Sequence, residues 1–387
     1  MLKPRDPGDH GAGHPGEPAI VHVHGRELPD EDVVVAPTPR VALAMRLVYL
    51  VAGLGAFVTA LGLMKAGAAE LAPKLEESIF TDNPWSTLGL GWLFACIVLS
   101  GSPVAASSLS LLDGGTIDRT QSFTMLTGSR LGAAFVVLVV GVIYAIRRSG
   151  TAGRRAPISI GILSLLMTMV TYVPAAIVGY LLLERGTFDG FDIGTSPSIT
   201  SATDRLFGWA VDICRDVLPD WMLFPVGLLV LLGGFALFDR VLPAVGGETM
   251  GDHPDAWYTR KWPMFFLGCG VCLLTLSVSV ALTVLVPMVA NGRLRRANTL
   301  PYIAGANITT LVDTLVAAII LGNQDGVRVV VAVGAILIVW TLFVLAFCYP
   351  LVRRACLGVA THALHSPRRL AAFVAVLLLV PISLIAV

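Results

Sequence analysis

Leu99-Ser100-Gly101-Ser102-Pro103 cuts the apolar run 85–113 near its middle, and Leu276-Ser277-Val278-Ser279 does the same to the run 262–290. Each run has 29 residues, which makes two half-helices of about 14 residues reaching roughly 20 Å each. That carries the chain to the middle of a bilayer and back. Irregular backbone at such depth is tolerated only where it is buried in protein or lines a polar cavity. The two interruptions therefore predict re-entrant hairpins whose tips mark a site.

The surrounding chain predicts the membrane. Of 387 residues, 53 are Asp, Glu, Lys or Arg, or 14%, against about 25% in soluble domains. Eleven of these charges fall in the first forty residues, and hydrophobic residues make up 55% of the whole. Mean hydropathy is +0.79. Charges this sparse cannot cover a soluble globule of this size. Apolar runs lie at 42–64, 85–113, 119–146, 157–184, 221–240, 262–290, 298–322, 327–352 and 368–387. The first run begins too far into the chain for a cleavable leader.

Loop charges set the expected orientation. Arg147, Arg148, Arg154 and Arg155 follow the third run; Arg293, Arg295 and Arg296 follow the sixth; Arg353, Arg354, Arg368 and Arg369 lie before the last. The positive-inside rule places all three clusters in the cytoplasm. The connector 185–220, with Asp189, Asp192, Asp204, Asp212, Asp216 and Asp220, fits the outside, partly as an amphipathic surface helix around Trp209. These sides are consistent only if 85–113 and 262–290 enter and return on one face, which leaves seven crossings.

The two hairpin regions align without a gap at an offset of 177 residues. Ser100 falls on Ser277, Ser102 on Ser279, Gly115 on Gly292 and Gly128 on Gly305. Each half then reads span, hairpin, span, span. Three crossings is an odd number, so the second copy is expected upside down relative to the first, an arrangement typical of secondary transporters. The expected fold is an all-α polytopic membrane protein of two inverted repeats plus a C-terminal span. Its parts are a disordered cytoplasmic tail at 1–40, repeat 1 at 41–184, the extracytoplasmic connector 185–220, repeat 2 at 221–352, and a cytoplasmic linker with an extra span at 353–387. The N-terminus is expected inside and the C-terminus outside a plasma (cell) membrane.

Other chemistries find little support. The net charge of +1, with basic residues in short clusters between apolar runs, predicts no nucleic-acid partner. Cys269-x-x-Cys272 lies in an apolar stretch without a second ligand pair and reads as packing. His10, His14, His22 and His24 belong to the polar tail rather than to a metal site. The chain contains no P-loop, H-E-x-x-H or nucleophile elbow. Neither an enzyme nor an ATP-driven pump is expected.

Pro301-Tyr302-Ile303-Ala304-Gly305-Ala306-Asn307-Ile308-Thr309-Thr310 resembles the G-A-N-I-G-T-T element of the type II sodium–phosphate cotransporter family. In that family the element follows a hairpin whose tip reads Q-S-S-S, and the same order holds here, with Ser277 and Ser279 ahead of it. The resemblance covers roughly residues 42–350. It implies sodium-driven uptake of inorganic phosphate, with the ligands held between two hairpin tips and no cofactor beyond the coupling ion. Carried over, Ser100, Ser102, Ser277 and Ser279 become phosphate or sodium ligands, and Asn307, Thr309 and Thr310 sodium-site residues.

The chain departs from this pattern at several positions. Leu99 and Leu276 stand in place of the glutamine, Gly101 and Val278 in place of the middle serine, and Thr309 in place of a glycine. In the first repeat the asparagine is replaced by Arg130 and both threonines by alanine; Gln121-Ser122 looks like the missing pair but sits out of register. Arg130 lies near the expected midplane, where an unpaired charge is costly and a functional candidate. It either contacts the anion, stands where a cation binds in relatives, or forms a structural ion pair with Asp313. Asp313 could ligate sodium, carry a coupled proton or only neutralise Arg130. Transport of another oxyanion, proton coupling, and a non-transporting regulator on the same scaffold remain as alternatives.

Overall fold

The computed structural model describes residues 39–75, 83–146, 151–188, 190, 197–241 and 259–386. The expected tail, with its four histidines, lies outside them apart from its last two residues, as do Arg147, Arg148, Asp189 and Asp192. The described residues are helical, with no strand among them. In chain order the α-helices are α1 (Pro39–Leu75), α2 (Pro84–Val98), α3 (Ser102–Asp113), α4 (Arg119–Ala133), α5 (Phe135–Ile146), α6 (Thr151–Glu184), α7 (Pro197–Val217) and α8 (Asp220–Val241). There follow α9 (Lys261–Thr275), α10 (Val278–Thr283), α11 (Leu285–Ala290), α12 (Thr299–Thr309), α13 (Leu311–Leu321), α14 (Gln324–Phe343), α15 (Tyr349–Ala363) and α16 (Pro367–Ile385).

Seven helical stretches among the described residues are long and apolar enough to cross a membrane, beginning at Leu47, Arg119, Arg155, Asp220, Arg296, Gln324 and Pro367. The two runs set apart as hairpins stay shorter. They are broken where the sequence breaks them: α2 ends at Leu99 with φ 57°, and α9 ends at Leu276 with φ 48°. These are the non-glycine residues with positive φ among the described residues. A leucine in the left-handed region costs about 1–2 kcal/mol, so packing must enforce both turns. Local chemistry then restarts the helices. Pro103 sits in the first turn of α3, where its missing N–H costs nothing, and the Ser277 hydroxyl accepts from the Val280 N–H at 3.3 Å to cap α10.

Small residues bring the hairpins onto the spans. A side-chain carbon on Gly91 would overlap the Met125 carbonyl oxygen, and one on Gly128 that of Leu88, so α2 and α4 touch backbone to backbone. In the same way Gly268 faces the Tyr302 carbonyl and Gly305 that of Phe265, joining α9 to α12. Such contacts are how membrane helices gain packing without a hydrophobic drive. The return arms cross over: α3 lies on α13, α10 on α5 and α11 on α6. The helix α16 covers α2, where Gly89 meets the Pro381 carbonyl.

Three expected elements differ in detail. The spans 119–146 and 298–322 are each interrupted by one residue, Ala134 and Thr310. The linker expected from 353 is helix as far as Ala363, because the span beginning at Gln324 continues through a π-helical turn at Val344–Cys348. Pro350 lacks the N–H that would hold a regular ladder there, and a π turn absorbs the slip. The surface helix expected around Trp209 is α7, with Trp209 itself exposed while Val211, Cys214 and Leu218 pack on Leu63, Ala66 and Leu223. That packing ties the connector to α1 and α8.

Candidate binding site at two helix interruptions

Arg130 lies in the last turn of α4 and Asp313 in the first turn of α13. Each charge therefore sits at the end of a short helix whose dipole favours its sign. The interruptions at Ala134 and Thr310 create those ends. The Arg130 Nη2 stands 3.4 Å from Asp313 Oδ1, and the two side chains are 1% and 6% exposed. Arg130 Nη1 donates to Thr310 Oγ1 at 3.0 Å, and Nη2 donates also to Thr314 Oγ1. Thr314 in turn donates to Asp313 Oδ1 twice, from its hydroxyl at 2.9 Å and its backbone N–H at 2.6 Å.

Between them these bonds use one oxygen of the carboxylate and the two terminal nitrogens of the guanidinium. Asp313 Oδ2 and Arg130 Nε are buried with no hydrogen-bond partner. A buried pair gains little net stability, because desolvation costs several kcal/mol per ion. An apolar pair of the same size would serve packing as well. Ion pairing thus explains how the charges are tolerated; by its chemistry a spare guanidinium N–H suits an acceptor such as an oxyanion, and a spare carboxylate oxygen suits a cation or a proton.

Beside the pair lies a small void lined by Arg130, Ala134, Tyr172, Val278, Leu282, Asn307 and Thr310, too narrow to admit a water molecule. Asn307 is fixed by α6. Its Nδ2 donates to Thr168 Oγ1 at 3.1 Å and Thr171 Oγ1 at 3.3 Å, and its backbone carbonyl accepts from the Tyr172 hydroxyl at 2.8 Å. Four of the nine candidate residues are thus brought together: Arg130, Asn307, Thr310 and Asp313. Thr309 turns back to its own helix and donates to the Gly305 carbonyl at 3.2 Å.

The hairpin serines lie outside the lining. The second tip reaches the void through Val278 and Leu282, while Ser277 is occupied as a cap. At the first tip Gly101 packs against the Ser129 carbonyl and Ala133, next to Arg130 in the chain. Among the described residues the hydroxyls of Ser100, Ser102 and Ser279 have no hydrogen-bond partner, and only Ser102 of the three is buried. Thr168, Thr171, Tyr172 and Thr314 are the site residues that sequence reasoning misses. The one available signal is the polar spacing of Thr168 and Thr171 within an apolar run.

The other polar residues flagged in sequence have structural duties. Asp113, at the end of α3, pairs with Lys65 at 2.7 Å and accepts from Asn323 Nδ2 at 2.9 Å, with only 11% of its side chain exposed. Gln121 closes a capping box with Asp118 at the start of α4, and Ser122 donates to the Ser108 carbonyl at 3.3 Å. Cys269 lies 3.5 Å from the Gly305 carbonyl and Cys272 is buried as a free thiol. No family model, no curated protein and no solved structure matches this chain.

Proposed function

We propose that the protein is a secondary active transporter of two inverted repeats, 41–184 and 221–352, carrying inorganic phosphate with sodium across a plasma membrane. The observation that carries this reading is a buried guanidinium with a spare donor, held beside a void where two membrane helices are interrupted. Charged groups at such depth mark substrate and ion paths. The repeat is supported by backbone detail: Leu99 and Leu276, the contact glycines Gly91 and Gly268, and Gly128 and Gly305 each stand 177 residues apart. The positive φ of Gly115 and Gly292 falls at the same offset.

Arg130 is the anion contact in this reading, and Asn307, Thr310 and Asp313 with the α6 hydroxyls supply hard oxygen ligands for sodium. The void is too tight for phosphate as it stands, so loading requires the hairpin tips to part and bring Ser100, Ser102, Ser277 and Ser279 to the ligand. The orientation follows from the Arg-rich loops, with Arg155, Arg295 and Arg353 on the cytoplasmic side. The partnerless Asp313 Oδ2 favours a second reading, in which a proton replaces sodium as the coupling ion.

Labelled phosphate uptake into proteoliposomes, with and without an inward sodium gradient, tests both. Uptake is expected to need sodium and to fail in the Ser100→Ala/Ser277→Ala double variant. Uptake driven by a proton gradient alone, and lost in Asp313→Asn, would establish the second reading. Folded protein that takes up no phosphate under either gradient would remove phosphate transport altogether.

A further inference from the structure

After Asp325 the chain contains no acidic residue, yet it carries Arg353, Arg354, His362, His365, Arg368 and Arg369 around the turn between α15 and α16. All six side chains are exposed. Among the described residues none of the four arginines has a carboxylate partner. The turn is ordered by its own backbone, with Leu364 N–H donating to the Ala360 carbonyl at 3.1 Å and Ser366 capping α16 through the Arg369 N–H at 3.3 Å.

An open groove of about 500 Å³ lies on this turn, lined by Leu357, Gly358, Thr361, His362, His365 and Arg369. Its floor is Leu357 and the bare backbone of Gly358, where a side-chain carbon would meet nothing within 4 Å. Arg369 Nη1 lies 3.3 Å from His362 Nδ1. A guanidinium only donates, so the ring accepts there and carries its proton on Nε2. The groove thus presents several donors, a cationic rim and no anion of its own, at the mouth of an apolar span.

We propose that this groove binds the phosphodiester headgroup of an anionic phospholipid from the Arg-rich leaflet. Charge complementarity selects the headgroup, since basic pockets at helix ends on the cytoplasmic side suit anionic lipids. Position selects lipid over a soluble anion: the groove opens where α16 enters the bilayer, and the outward face of α16 at Val376, Leu379 and Val380 is exposed and apolar for an acyl chain to follow. Gly358 supplies the room. This site is separate from the buried void and does not depend on transport.

Native mass spectrometry of the full-length chain, titrated with phosphatidylglycerol or phosphatidylcholine of the same acyl length, tests the proposal. Phosphatidylglycerol is expected to bind in preference. Each interfacial arginine is worth about fivefold, so Arg368→Gln/Arg369→Gln should weaken it about 30-fold. Gly358→Phe fills the groove while keeping every charge, and should abolish the preference; Arg155→Gln, at another exposed basic site, should leave it intact. Equal binding of the two lipids, or wild-type preference in Gly358→Phe, would overturn the site. Displacement of the lipid by millimolar inorganic phosphate would overturn its assignment to lipid.

Discussion

Arg130→Ala is expected to abolish the proposed phosphate uptake and to destabilise the protein, and adding Asp313→Asn is expected to restore the stability without the uptake. The two effects separate because they have different causes. Removing the guanidinium strands a buried carboxylate, which costs about 3–5 kcal/mol. The asparagine no longer carries that charge, so the double variant should unfold close to wild type. On the proposed reading the anion, in contrast, loses a charge-assisted contact worth about 2–5 kcal/mol in a desolvated site, at least about thirtyfold in affinity, and neutralising Asp313 does not replace it. Thermal unfolding with and without phosphate, run beside the uptake assay, reads both quantities, since a ligand of the native state raises apparent stability. A double variant that transports like wild type would reduce Arg130–Asp313 to a structural pair.

Gly268→Ala and Gly270→Ala, two residues apart on α9, should differ in sign. At Gly268 an added carbon overlaps the Tyr302 carbonyl oxygen, so backbone must move and α9 must lift from α12. Overpacking of side chains alone costs about 1–3 kcal/mol, and a backbone obstacle relaxes less readily. Gly270 has nothing within 4 Å, and alanine there gains up to about 1 kcal/mol of helix propensity. Gly91→Ala, facing Met125, should repeat the Gly268 result in the first half. Unfolding midpoints in a single detergent or bilayer measure all three. A Gly268→Ala protein as stable as wild type would mean that the hairpin does not seat on the span this closely.

The spans and the hairpin breaks were legible because they rest on one-dimensional signals. Apolar length fixes a span, and a Ser-Gly-Ser-Pro cluster inside one can only be a break or a polar wall. Arg130 announced itself as a charge in an apolar run. The interruptions at Ala134 and Thr310 were not legible, since neither residue type stops a helix; tertiary packing sets them. Tyr172 and Thr168 read as ordinary members of an apolar stretch, because a threonine hydroxyl can bond its own helix backbone and a tyrosine ring packs as a largely apolar body. Only the approach of α12 gives Tyr172 the Asn307 carbonyl. The extension to Ala363 was hidden for a related reason: Pro350 and Arg353-Arg354 carry the marks of a helix end, and a π turn defeats them.

The two hairpins are not held alike, and the difference is mechanical. The outer face of α2 is clamped by α16 through the close seat of Gly89 on Pro381. The residue 177 positions after Gly89 is Phe266, which is 66% exposed, and Leu273 and Leu274 beyond it are also bare. At the base of α9, Lys261 Nζ donates to the Leu345 carbonyl in the π turn at 2.8 Å and lies over the Tyr349 ring. One hairpin is therefore covered on both flanks, whereas the other is seated on α12 and bare on its second flank, with its buried tip residue Val278 lining the void.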